Sequence, residues 1–73
     1  MMILNAVIEK DENGYFAYIP ELKGCVSQGE SYEEALLNIK EAGELYLESL
    51  EQSEINKILS KTTTIVPIEI ANA

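Results

Sequence analysis

Lys10-Asp11-Glu12-Asn13-Gly14-Tyr15-Phe16-Ala17-Tyr18-Ile19-Pro20 is the stretch that decides the fold. Asn13-Gly14 is the dipeptide best suited to the positive φ angles of a tight hairpin turn. Strand-forming residues flank it, with Ile, Leu and Val concentrated over 2–9 and aromatic and β-branched residues over 15–19. Two antiparallel strands joined at that turn are predicted. Pro20 ends the second, Gly24 opens a short third strand around Cys25 to Gln28, and Gly29 closes it at another turn.

Outward from the hairpin the hydrophobic period changes. Ser31-Tyr32-Glu33-Glu34 reads as a capping box, in which the Ser31 hydroxyl satisfies an orphan backbone N–H and Glu34 reaches back. A helix is predicted from 32 to about 51. Its apolar stripe is Ala35, Leu36, Ile39, Ala42, Gly43, Tyr46, Leu47 and Leu50. Gly43 costs about 1 kcal/mol relative to alanine in mid-helix, so its use is a close backbone approach. Ser53 is the expected cap of a short helical turn through Ile58 and Leu59. Residues 62–70 then read as a final strand, which a helical crossover would place parallel to its neighbour. Pro67 removes a ladder donor there and argues for an edge or a bulge. The expectation is a single α+β domain over 1–73, ordered β-β-β-α-β, with a three-stranded antiparallel sheet and a final strand packed on one long helix.

Composition narrows the function. The 73 residues are 47% hydrophobic and 25% charged, which is a globular balance, and so short a chain folds marginally unless it self-associates. Thirteen acidic residues oppose five lysines, with no arginine or histidine, for a net charge of −8. That field repels polyanions, so direct nucleic-acid binding is not expected. A lone Cys25 forms no intrachain disulfide, and without histidine the usual zinc ligand sets cannot be assembled. Cys25 is read as a small buried apolar residue and the compartment as the reducing cytoplasm. The first residues have neither a basic leader nor an apolar run long enough for a signal peptide or membrane span.

The segment from Lys10 through Cys25 resembles the start of the HicB family of antitoxins. The likeness continues through Gln28-Gly29-Glu30-Ser31, Glu33-Glu34-Ala35-Leu36 and Lys40-Glu41-Ala42. It is carried by Gly14, Pro20, Gly24, Gly29 and the Glu34-Ala35 pair at matching spacing, over positions 10 to 42. Ser31 stands where the family more often has threonine, which preserves capping. The resemblance implies a partial ribonuclease H-like domain that masks a small basic RNA-cleaving toxin, HicA. Longer members add a C-terminal DNA-binding module, and no such segment follows the last expected strand here.

No catalytic residue, metal site or cofactor is assigned. Two-metal nuclease chemistry needs several converging carboxylates, whereas the first strand offers Asn5 and the last only Glu69. The hairpin acids Glu9, Asp11 and Glu12 read as a solvated turn. The partner-binding candidates lie on the helix: Glu33, Leu37, Glu41, Glu44, Leu45 and Glu48, an apolar spot ringed by acids without i,i+4 lysine partners. Asn13, Gly14, Pro20, Gly24, Gly29, Ser31 and Glu34 are assigned to turns and the cap. A homo-oligomer, dimer or tetramer, is expected. Two other classes stay open: a self-assembling structural or regulatory domain using Tyr15, Phe16, Tyr18 or the second sheet face, and a small-ligand sensor with Asn5, Cys25 and Gln28 at a pocket.

Overall fold

The two-residue loop Glu12-Asn13 sets the register of everything before Pro20. In the computed structural model, which describes residues 2–72, strand β1 (Val7–Asp11) pairs antiparallel with β2 (Gly14–Tyr18), with Asp11 opposite Gly14 and Val7 opposite Tyr18. Asn13 does not take the positive φ expected of it; only Gly14 does, at 123°. The Asp11 carboxylate instead accepts the Asn13 backbone N–H at 2.8 Å, an Asx turn that lets Gly14 alone make the reversal.

That register also corrects the first strand, expected over 2–9. Continued outward, it would set Ala6 opposite Ile19 and Asn5 opposite Pro20, which has no N–H. Ile19 N–H is already donated to the Cys25 carbonyl at 3.1 Å. The ladder therefore stops at Val7, and residues 2–6 run beside the sheet outside it. Between Ile19 and Cys25 the chain forms a compact loop, closed by Leu22 N–H to the Ile19 carbonyl and Cys25 N–H to the Leu22 carbonyl, both 3.0 Å. Gly24 takes φ +80° in this loop. Strand β3 (Val26–Gly29) then pairs antiparallel with β2, giving the order β1-β2-β3.

Gly29 is the last ladder residue, opposite Tyr15, and lies against the helix that follows. A Cβ on it would meet Ala35 N at 2.5 Å and Glu34 C at 2.9 Å, so the absence of a side chain sets how closely sheet and helix pack. Helix α1 (Tyr32–Glu48) starts at Ser31, whose Oγ accepts Glu34 N–H at 3.1 Å. The Glu34 carboxylate reaches back one residue further than a capping box requires, to the N–H of Glu30 at 3.1 Å. Asn38 Nδ2 ties the helix to the Gln28 carbonyl at 2.8 Å.

The core lies between α1 and one sheet face: Ala17, Ile19, Leu22, Cys25, Ala35 and Ile39. Ala42, Tyr46 and Leu47 pack on it partly buried, while Leu36, expected in the stripe, is 43% exposed. Tyr46 donates its hydroxyl to the Lys23 carbonyl at 3.0 Å, anchoring the Leu22 loop to the helix. Gly43 is buried, and a Cβ there would stand 2.7 Å from Ile19 Cδ1.

Cys25 is 5% exposed, and burial pushes its thiol pKa up. The thiolate is the nucleophile, so a raised pKa leaves less of it near neutrality and reactivity should rise only as pH climbs. Iodoacetamide at pH 7.5 should label the folded chain much more slowly than the chain in denaturant. Equal rates would place the thiol outside the core.

The C-terminal part departs most from expectation. A second helix, α2 (Gln52–Leu59), follows, capped by Glu51 and not by Ser53; the Glu51 N–H donates to the Glu54 carboxylate at 3.1 Å. The strand expected over 62–70 does not form: the segment has no regular secondary structure and belongs to no sheet. A strand needs a ladder partner, and the neighbouring segment 2–6 is itself outside the sheet. The observed order is β-β-β-α-α, an α+β fold.

Candidate functional site

Helix α1 turns about 100° per residue, so the six partner-binding candidates do not share one face. Glu33, Leu37 and Glu44 flank a groove between α1 and residues 2–6. Glu41, Leu45 and Glu48 are exposed on the flank turned away from it. Leu37 stands where the two flanks meet, with Glu41, Glu44 and Glu48 following at i+4, i+7 and i+11. Leu37 and Leu45 are 65% and 59% exposed, so both present apolar surface among carboxylates.

Glu44 has a lysine partner after all. Lys40 Nζ lies 4.0 Å from its carboxylate, an exposed i,i+4 pair that contributes little. Glu41 and Glu48 make no ion pair among the described residues. Glu33, on the groove flank, likewise makes no ion pair among the described residues, so of these acids Glu44 alone has a lysine beside it.

The groove itself has no clear signature in the sequence. It encloses about 810 Å³, with Met2, Ile3 and Leu4 along one wall and Leu36, Leu37 and Leu47 along the other. The first three residues read as strand and Leu36 and Leu47 as core, so only the tertiary arrangement turns them into a lined concavity. Near its end, Asn5 donates its backbone N–H and its side-chain amide to the Glu21 carboxylate, at 3.1 and 2.8 Å to Oε2. The same amide donates to the Thr63 carbonyl at 3.2 Å.

The sheet face opposite α1 forms a further surface. Val7, Tyr18 and Val26 stand in one cross-strand row and Glu9, Phe16 and Gln28 in the next. Phe16 and Tyr18 lie with ring centroids 6.0 Å apart, and Phe16 and Val26 are 41% and 52% exposed. Tyr15 belongs to the inner face and packs against the core.

Asn5, Cys25 and Gln28, the conceivable pocket residues, serve separate purposes: Asn5 holds Glu21, Cys25 is core, and Gln28 offers its carbonyl to Asn38. Among the described residues no three His, Cys, Asp or Glu side chains gather as a metal site would require. No described helix is long and apolar enough to cross a membrane.

A family model described as the HicB-like antitoxin of bacterial toxin-antitoxin system matches residues 4–70. A UPF0150 protein of Helicobacter pylori is 68% identical over 72 residues, covering 99% of this chain and all of its own length. A UPF0150 protein of Thermoplasma acidophilum is 48% identical over 52 residues, covering 70% of this chain and 75% of its own. One from Synechocystis is 58% identical over 45 residues, covering 60% and 57%. No solved structure matches the chain.

Proposed function

Since the chain belongs to the HicB-like antitoxin family, we propose that it is a cytoplasmic, non-catalytic antitoxin that neutralises a small basic RNA-cleaving toxin of the HicA type by masking it. The observation that carries this reading is the outer flank of α1, where Glu41 and Glu48 surround exposed Leu45 and adjoin Leu37. An apolar spot ringed by one sign of charge suits a partner of the opposite sign. The carboxylates speed and orient encounter, and Leu45 supplies area that leaves water on docking. The net charge of −8 adds long-range attraction for a basic protein and repels the RNA that such a toxin cuts. The partial ribonuclease H-like ancestry implied by the resemblance belongs to this same proposal, as does the absence of direct nucleic-acid binding.

The test is a calorimetric titration against the basic product of the adjacent reading frame, with RNA cleavage followed in parallel. The chain should bind it and suppress cleavage. Glu41→Lys with Glu48→Lys should weaken binding about tenfold or more, which corresponds to about 1.4 kcal/mol or more. Glu12→Lys, at the hairpin tip, should change it little. Unchanged affinity in the helix double variant, with its circular dichroism intact, would exclude this flank.

A further inference from the structure

The chain from Thr62 to Ile70 has the residues of a strand but no partner. Among the described residues it makes no backbone-to-backbone hydrogen bond. Ile65, Val66, Ile68 and Ile70 are 59%, 61%, 75% and 61% exposed. Val66, Ile68 and Ile70 recur at period two and would share one face once the segment pairs as a strand. An extended apolar face with open backbone donors and acceptors is a template for pairing with another strand.

The same molecule holds a complementary feature. Residues 2–6 lie outside the sheet, and among the described residues they too make no backbone-to-backbone hydrogen bond. With Leu36, Leu37 and Leu47 they wall the open apolar groove. An arm pairing with this segment would satisfy both backbones and set its aliphatic face against the groove.

No residue of the arm lines the groove of its own chain. The root of the arm is held where Asn5 donates to the Thr63 carbonyl, and beyond that point the apolar side chains stand in water. The radius of gyration, 14.1 Å, exceeds the roughly 11 Å of a compact chain of this length, so the chain does not close into one compact body. Charge permits a second copy as the occupant: residues 62–70 carry only Glu69, so the arm can approach an acidic body with little added repulsion. Two arms meeting two grooves close under twofold symmetry.

We infer that the protein is an arm-exchanged dimer, in which residues 62–70 of each copy lie in the groove between residues 2–6 and α1 of the other. This does not depend on the antitoxin reading. It covers the Glu33 flank of α1 and leaves Glu41, Leu45 and Glu48 free for a different partner.

Light scattering on the eluting full chain should give twice the 8.1 kDa chain mass. Ile68→Asp with Ile70→Asp should halve that mass while the helical circular dichroism persists. A single-chain mass for the unmodified protein, or a variant that remains dimeric, overturns the inference. Should the variant fail to fold, cysteine pairs decide. In a Cys25→Ala background, chains carrying Ile68→Cys are mixed and oxidised with chains carrying Leu37→Cys or Ile3→Cys. Hetero-linked dimers should predominate over either homo-linked product. One chain bearing both cysteines that closes only on itself, at single-chain mass, would show the arm on its own body and refute exchange.

Discussion

Leu22→Ala is expected to remove about 2–5 kcal/mol of folding stability, the range for emptying a fully buried leucine site. Leu22 is 1% exposed and packs with Ile19, Cys25 and Ile39 in a core of six buried residues. The loop carrying it is closed by three backbone hydrogen bonds and anchored to α1 through Tyr46 and Lys23, so it has little freedom to collapse into the void. A domain of this length has about 4–11 kcal/mol in total, and each lost kcal/mol lowers the melting temperature by about 4–8 °C. Thermal melts should be compared at one fixed concentration, because self-association adds concentration-dependent stability. A loss below about 1 kcal/mol, the scale of an ordinary surface change, would mean that the loop is not part of the core.

Gly29→Ala should destabilise the fold by about 1–3 kcal/mol or more, the cost of forcing an extra methyl into a packed site. Its Cβ would stand 2.5 Å from the backbone nitrogen of Ala35, which donates to the Ser31 carbonyl. Backbone cannot rotate aside as a side-chain tip can, so β3 and the first turn of α1 must separate. That separation loosens the burial of Ala35 and the Asn38 bond to Gln28 together. Gly24→Ala is the informative comparison. A Cβ at Gly24 would meet no atom within 4 Å, but the residue holds φ +80°, so the substitution should show only the conformational cost of about 1–2 kcal/mol. If Gly29→Ala melts with the unmodified chain, the close approach is not what holds the helix to the sheet.

Local chemistry made the hairpin, the third strand, the Ser31 cap and the buried face of α1 legible in the sequence, because each depends on a few neighbouring residues or one helical period. The boundaries were less legible. Asn13-Gly14 marked the turn, but Asp11 competes for the Asn13 N–H and shifts the positive φ to Gly14 alone. The partner-binding candidates could be assigned to the helix surface but not divided into flanks, since the division is made by residues 2–6 lying along one of them. Leu22 carried no periodic signal at all, sitting in a loop between two turn residues.

Charge, turn propensity and hydrophobic period are properties of short stretches, and they suffice to specify an acidic α+β chain with a β-hairpin and one long amphipathic helix. The fate of residues 62–70 is settled in three dimensions alone. Their composition allows a strand, but a strand is a relation between two backbones. Pro20 ends the hairpin ladder before residues 2–6 can join it, and no partner remains in register for the arm within its own sheet.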